Sequence, residues 1–342
     1  MEKTNLLGLS KDELIEFAKS IGGEGFRGRQ LFKWIYKENV TSFEPMTDIS
    51  KNFRVELNNN AVIGKLEIDQ KLNSADGSIK LLFNLLDNLS IESVLIPDKK
   101  RLTICVSCQA GCALGCKFCA TGSMGFKRNL DAGEIVDQVL QGQKTAGMKI
   151  TNIVFMGMGE PMMNLNNVLK ACDILMDKQG QSFPQKKITI STVGVLRTMK
   201  KFVESGRKIR LAISLHSADD EIRKEIIPVA EKNPLSEVLK LSKIYTENTG
   251  RRVSFEYLLL GGVTDRIADA KKLVKAIDGI PCKINLIRYN PVDGLPFKKP
   301  EESDVRKFKE YLDPRTYAVM IRESRGLDIS GACGQLAVLA GD

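Results

Sequence analysis

Along the 342-residue chain the spacing of hydrophobic positions changes character twice. Up to about residue 60, apolar residues recur at three- and four-residue intervals, which predicts three short helices. The first opens on a capping box in which Ser10 caps the backbone and Glu13 reaches back. The second, GRQLFKWIYKEN, sets Leu31, Trp34 and Ile35 on one face, and the third is expected from Met46 to Asn58. From 61 to 97 the period falls to two. KLEIDQKL and IKLLFNLL flank NSADGS, whose Asp76-Gly77 is a hairpin signal, and SIESVLIP supplies a third strand. Beyond 98, short apolar runs beginning with TICVSC, NIVFMG, KITIST, RLAISLH, VSFEYLLL and KINLIRYN are each followed by a helical pattern. TYAVMIRES then adds a last strand ahead of a Gly-rich tail.

Strands alternating with helices require crossover connections and therefore a parallel sheet, and six such units fall short of the eight that close a barrel. The expected fold is α/β: a partial (β/α)6 TIM-like barrel over 98–342, a helical accessory unit over 1–60 and a β-hairpin extension over 61–97. In parallel α/β architectures the chemistry gathers at the carboxyl ends of the strands, where every motif below falls.

Composition narrows the class. Hydrophobic residues at 43% and charged residues at 27% allow a large buried core and exclude global disorder. No uncharged apolar run approaches the roughly eighteen residues of a membrane span, so a cytoplasmic protein without a membrane partner is expected. Five of the eight cysteines fall between Cys105 and Cys119, a clustering that points to metal binding or redox chemistry and not to a secreted disulfide framework. The net charge is +9, and between 185 and 210 eight basic residues (Lys186, Lys187, Arg197, Lys200, Lys201, Arg207, Lys208, Arg210) face only Glu204. RNA phosphates would favour such a surface, and a solvated helix face is the plainer alternative. The first 60 residues, with nine basic and nine acidic side chains, form no electrostatic arm.

Directly after the first barrel strand comes Cys112-Ala-Leu-Gly-Cys116-Lys-Phe-Cys119. Three closely spaced thiolates can hold three irons of a [4Fe–4S] cube and leave the fourth open to a ligand. A structural zinc site would need a fourth ligand, which Cys108 could supply by counting alone. Cys172, within an amphipathic helical pattern, and Cys282, at the start of a strand, read as core residues.

C-x3-C-x2-C is the signature of the radical S-adenosylmethionine (SAM) superfamily. Together, TICVSCQAGCALGCKFCATGSMGFKRNL, VFMGMGEPMMNLNNV, ITISTVGV, LAISLHSADDEIR, LIRYNP and ISGACGQL resemble the bacterial dual-specificity 23S rRNA and tRNA adenine-C2 methyltransferases, from the N-terminal helices through residue 337. The resemblance implies a radical SAM barrel whose cluster, on Cys112, Cys116 and Cys119, cleaves SAM to a 5′-deoxyadenosyl radical. It implies SAM contacts from Gly159, Glu160, Ser191, Ser214, Leu215, His216 and Asn290. Cys333, between Gly331 and Gly334 in a loop that must move, would be methylated by one SAM and activated by a second, so that two SAM are used per methylation. Cys105 would resolve the protein–RNA adduct as a disulfide with Cys333, which demands that two residues 228 positions apart meet at the barrel mouth. Glu92 matches the proton acceptor, although the strand pattern alone reads it as an exposed glutamate.

Cys108 departs from the family, where serine is usual. The resemblance further implies 23S rRNA and tRNA as partners and a reductant such as flavodoxin, and a monomer is expected because bulky RNA must reach the barrel opening. RNA would be met by the basic run at 185–210 with Lys117, Lys127 and Arg128. The competing functions are the C8-methylating antibiotic-resistance relative, which shares the cysteine pattern, and a non-enzymatic electron carrier or zinc-dependent RNA-binding module.

Overall fold

A computed structural model describes residues 3–337. The short strand β1 (Thr4–Asn5) precedes α1 (Lys11–Ser20), α2 (Gly25–Tyr36) and α3 (Lys51–Asn60), and β2 (Ala61–Val62) pairs parallel with β1. The expected capping box forms: Glu13 N–H donates to Ser10 Oγ at 3.3 Å, and Ser10 N–H donates to Glu13 Oε2 at 2.7 Å. On α2, Leu31 and Ile35 are buried beside Phe32 and Tyr36, while Trp34 is half-buried and donates Nε1–H to Asp48 Oδ1 at 2.6 Å. The third helix begins at Lys51, later than the apolar spacing predicts. Ser50 caps it by accepting from Phe53 N–H, and Met46 and Ile49 enter the core from the preceding loop. An apolar pair three residues apart can be buried without a helix between its members.

Next, β3 (Glu67–Asn73), β4 (Ile79–Asn84), β5 (Ser90–Asp98) and β6 (Arg101–Cys105) form an antiparallel meander. A separate hairpin, β7 (Gln109–Gly111) with β8 (Phe126–Asn129), encloses the cysteine loop and the short helix α4 (Ala120–Ser123). After α5 (Ala132–Ala146) the chain alternates through β9 (Asn152–Phe155), α6 (Leu165–Met176), β10 (Ile188–Thr192), α7 (Leu196–Glu204) and β11 (Arg210–Ser214). It continues through α8 (Asp220–Ile226), α9 (Leu235–Thr249), β12 (Val253–Leu259), α10 (Ile267–Ala276), β13 (Cys282–Arg288), α11 (Glu302–Leu312) and β14 (Val319–Arg322).

All strands from β3 to β6 and β9 to β14 join one sheet, ordered β14-β13-β12-β11-β10-β9-β6-β5-β4-β3. Neighbours from β6 through β14 are parallel, and edges β14 and β3 do not pair with each other, so the barrel stays open. Val94 stands opposite Cys105, which carries the hairpin extension directly into the barrel sheet. The free edge β3, EIDQKLN, is largely exposed and charged, features that discourage pairing with another chain. At the β5–β6 junction, buried Gln138 of α5 accepts from Ser93 Oγ at 2.6 Å and from Ser107 N–H at 2.8 Å, tying the extension to the loop that follows Cys105. Among the described residues no helix is long and apolar enough to cross a membrane.

The N-terminal helices dock on the α5–α6 flank. Tyr36 Oη donates to Leu9 O at 2.8 Å and accepts from Gly8 N–H at 2.9 Å, Lys11 pairs with Asp177 at 2.7 Å, and Lys170 pairs with Glu13 at 2.7 Å. At the contact the two backbones nearly touch. Gly8 has φ +93°, and a Cβ there would lie 2.5 Å from Gly133 N. Both the strained φ and the collision oppose a side chain at Gly8. We expect Gly8→Val to lower stability by about 1–3 kcal/mol and to expose the α3–β2 junction to limited proteolysis. An unchanged melting curve and digestion pattern would contradict this docking.

Candidate active site

The parallel strands end around a cavity of about 240 Å³. Cys105, Cys112, Cys116, Cys119, Gly159, Glu160, Ser191, Ser214, His216, Asn290 and Cys333, all expected on sequence grounds, line it. Leu215 does not. Its side chain is fully buried in the main core, and its N–H donates to Glu256 O at 2.9 Å, so only its backbone passes near the site. Glu92 also stands outside the lining residues.

The cysteine loop is shaped from both sides. Cys112 N–H donates to Gly125 O at 3.0 Å, Cys119 N–H to Cys116 O at 3.1 Å, and Lys117 N–H to Ile226 O at 3.0 Å. Leu114 and Phe118 pack with Val193, Ile226, Leu258 and Tyr289 into an apolar cluster distinct from the main core. This dry shell raises the thiols: burial pushes Cys112 up to about 12 and Cys116 well above the usual thiol value. Metal ligation of such thiols displaces their protons. Among the described residues no three His, Cys, Asp or Glu side chains converge on a single ion position, as a closed zinc site requires. Three thiols distributed on the wall of one cavity fit a larger group with several metal corners.

Cys108 supplies no fourth wall. It is buried in the main core, its thiol directed at Met158 O at 3.7 Å, while its carbonyl accepts from Asn164 Nδ2 at 2.8 Å. Cys172 and Cys282 are likewise buried core residues.

Opposite the cysteines, Gly159 adopts φ +96°, and a Cβ there would strike the Gln109 side chain. The turn delivers Glu160, whose carboxylate is buried with both oxygens engaged: Oε1 accepts from Met162 N–H at 2.9 Å and Oε2 from Val193 N–H at 3.0 Å. Burial outweighs those donors and raises its pKa to about 7. Ser191 and Ser214 hydroxyls lie 3.4 Å apart on adjacent strand ends. His216, at φ +58°, accepts from Leu258 N–H through Nδ1 at 3.1 Å, and its ring meets Phe118 edge-on at 5.0 Å. Burial, reinforced by Arg223, lowers its pKa to about 3, so the imidazole is neutral with its proton on Nε2.

Cys333 reaches the cavity from the far end of the chain. Asn290 Nδ2 donates to Cys333 O at 3.1 Å, Ala120 N–H to Gly334 O at 2.8 Å, and Thr121 Oγ1 to Leu336 O at 2.5 Å. Cys333 is surface-accessible toward the cavity, yet the surrounding protein still raises its thiol. Burial also raises Cys105, and the nearby Cys333 thiol adds to the rise.

Glu92 overturns the exposed-strand expectation. It is 3% exposed, Lys80 Nζ sits 2.9 Å from Oε1, and Oε2 has no hydrogen-bond partner among the described residues. Burial raises its pKa despite Lys80 and the Ala337 N–H. By register it shares a sheet face with Cys105, two positions from Val94.

Three charged residues escaped the sequence reading. Glu256, buried in β12 and lining the cavity, accepts from Asn285 Nδ2 at 2.7 Å; a lone carboxylate within the apolar run VSFEYLLL was the available signal. Arg322, at the end of β14, also lines the cavity. Arg223 is fully buried beneath the cysteine loop, with Nη1 donating to Asn233 O and Nη2 to Val193 O, and Nε without a partner. Nothing in the amphipathic pattern of α8 distinguishes it.

Five of the eight cations at 185–210 sit away from the mouth, while Arg197, at the start of α7, follows the carboxyl end of β10. Lys186 and Lys187 precede β10, and Arg207 and Lys208 precede β11, while Arg210 begins it, so all five sit at the amino ends of the strands, opposite the cavity. Arg207 is further neutralised by Asp173, 2.9 Å from Nη2. A local charge count is blind to which end of a strand carries the charges. Of the loop cations, Arg128 is held by Asp87 and by Glu134 at 2.7 Å, whereas Lys117 and Lys127 are exposed, as is Phe126 next to Lys127. Lys298 and Lys299, exposed in the loop after β13, add charge on the mouth side.

Known proteins share this arrangement. Residues 4–63 match the ribosomal RNA large subunit methyltransferase N-terminal domain, and residues 106–274 match the radical SAM superfamily. The dual-specificity RNA methyltransferase RlmN of Syntrophobacter fumaroxidans is 45% identical over 98% of both chains, and that of Desulfotalea psychrophila is 43% identical over 98% of this chain and 95% of its own. The crystal structure of a radical SAM methyltransferase from Sphaerobacter thermophilus superposes with a TM-score of 0.93 at 38% identity, covering 97% of this chain and 99% of that one. With 45% identity over 98% of both chains, and with the N-terminal domain and the radical SAM region matched in order, the chain belongs to the RlmN family of radical SAM, dual-specificity RNA methyltransferases.

Proposed function

We propose that the enzyme methylates C2 of an adenine in 23S rRNA and in tRNA, in the cytoplasm, using two SAM per methylation and Cys333 as the methyl carrier. The observation that carries this reading is the meeting of Cys105 and Cys333, from opposite ends of the barrel sequence, in one cavity with Cys112, Cys116 and Cys119. Adenine C2 lies between two ring nitrogens and is too electron-poor to attack a sulfonium methyl. A [4Fe–4S] cluster held by Cys112, Cys116 and Cys119, with SAM bound, would supply one-electron hydrogen abstraction and so remove that obstacle.

The protein's own groups account for the remaining tasks. Asn290, holding the Cys333 carbonyl, presents the methylated sulfur to the cavity. Once carbon from Cys333 is bonded to C2, the ring proton must leave. Glu92, buried beside Cys105 on one sheet face and with its pKa raised, suits that role once the segment at Ala337 yields. With the surplus electron of the radical adduct returned to the cluster, Cys105 thiolate would attack the Cys333 sulfur; the S–S bond forms as the sulfur–methylene bond breaks, and the released carbon takes up a proton to leave as the methyl group of the base. Cys105 and Cys333 lie within a cavity at the strand ends, out of reach of a base inside a stacked helix, so the target adenine must be everted from a loop. Exposed Lys117, Lys127, Lys298 and Lys299 lie where flanking phosphates would pass. The enzyme would act as a monomer and draw electrons from a reductant such as flavodoxin.

With Cys105→Ala, we expect the covalent protein–RNA adduct to accumulate on denaturing gels, and with Cys333→Ala no adduct at all; full methylation by Cys333→Ala would refute a cysteine carrier. In nucleoside digests of RNA from cells lacking the enzyme, 2-methyladenosine should be lost. Loss of 8-methyladenosine with 2-methyladenosine intact would identify the C8 chemistry instead. Glu160→Ala leaves two buried N–H groups unpaired, at about 1–3 kcal/mol each. We expect a lowered melting temperature and, in equilibrium dialysis of the cluster-loaded protein, at least tenfold weaker SAM binding; wild-type affinity would remove Glu160 from the site.

A further inference from the structure

The segment that carries Cys333 is gripped at its base by a distant part of the fold. The turn between β3 and β4 meets residues 326–328 through reciprocal bonds. Gly326 N–H donates to Asp76 Oδ2 at 2.9 Å; in return Asp328 accepts from Ser74 Oγ at 2.5 Å and from Ala75 N–H at 3.0 Å. The other oxygen of Asp76 is occupied within its own turn, accepting from Ser78 N–H at 2.9 Å. Some 250 residues separate the partners, so nothing local holds them together. Immediately beyond the clasp the chain closes into a ring, Gly331 N–H donating to Gly326 O at 2.7 Å. Only Ala332 then stands between the ring and Cys333.

We propose that Asp76 and Asp328 are positioning residues that fix the pivot of the Cys333 loop and so set how often its sulfur meets Cys105. The inference rests on the pairing of Cys105 with Cys333 proposed above. Downstream, the loop is tied to Ala120 and Thr121 beside Cys119, and to Asn290. Those anchors belong to the cysteine loop and the strand ends, and they must accommodate whatever fills the cavity. The hairpin clasp touches neither, so it can stay closed while Cys333 swings through the two residues that follow the ring. The effective concentration of one thiol near another depends on the length and freedom of the chain between fixed points. Releasing the clasp lengthens the free segment back to Ser324, which is next held by Asn290 Oδ1. Partial burial of Asp76 opposes its ionisation, but donors from Gly326, Ser78 and Ser74 outweigh it and hold the carboxyl at about 2. The clasp therefore persists across the pH range in which the thiols react.

Thiol–disulfide exchange in the cluster-loaded full chain tests this. Cys333 attacks glutathione disulfide, releasing one glutathione. Cys105 then displaces the second, so the two protein thiols become one disulfide and the oxidant becomes two glutathione thiols. Alkylation quenching and peptide mapping count the linked Cys105–Cys333 peptide against the Cys333 mixed disulfide. In Asp76→Ala/Asp328→Ala we expect the second step to slow at least tenfold and the mixed disulfide to build up, while KM for RNA is unchanged and kcat falls. Asp328→Asn, which keeps an acceptor, should recover part of the rate, and Ser74→Ala should fall between. Closure at the wild-type rate in the double variant would overturn the clasp's role. A slowed second step with loss of cluster absorbance or of the cooperative melt would assign the aspartates to folding and also overturn it. Failure of the wild-type protein to form the linkage would instead overturn the pairing of Cys105 with Cys333.

Discussion

Parallel register is the constraint on which the site depends. In β6, β9 and β10, Cys105 is paired with Val154, and Phe155 with Ile190, so the strands stop at nearly one level and hand their next residues to the same cavity. Each crossover helix returns the chain to the amino end before the next strand, and the loops of interest therefore share one face. Gly159–Glu160 after β9, Ser191 on β10, Ser214 and His216 at β11, and Asn290 after β13 are brought together by this repetition alone. What a parallel sheet cannot do is bring its far terminus over its own mouth. That depends on the segment after β14, stitched to Asn290, to Ala120 and Thr121, and to the β3–β4 turn.

Burial then sets the chemistry of the assembled groups. The same dry surroundings that raise the cysteine thiols and Glu160 keep His216 neutral. Arg223 places a guanidinium beneath the cysteine loop with, among the described residues, no carboxylate hydrogen-bonded to it. A group bound by three thiolates carries negative charge, and a buried cation beside it is consistent with that balance.

Much of this was legible in the sequence because it has period. The shift from helical to two-residue spacing near residue 61, the six βα units and the Ser10–Glu13 capping box all appear where the pattern puts them. Three features were not legible, each for a physical reason. The start of α3 was misplaced because Met46 and Ile49 are buried from a loop, where spacing mimics a helix. Five of the eight cations at 185–210 were misplaced because linear charge density ignores which end of a strand it occupies. Glu92 looked exposed because its buried partner, Lys80, lies on a neighbouring strand, and a cross-strand ion pair leaves no local signature.

The proposed route takes the methyl carbon through Cys333, with loss of one hydrogen on the way. Methyl-trideuterated SAM tests it directly by mass spectrometry of the modified nucleoside. That route gives a methyl group at adenine C2 retaining two of its three deuteriums, with a trideuteromethyl group on the Cys333 peptide before RNA is added. A product that keeps all three, or an unlabelled Cys333 peptide, would contradict it.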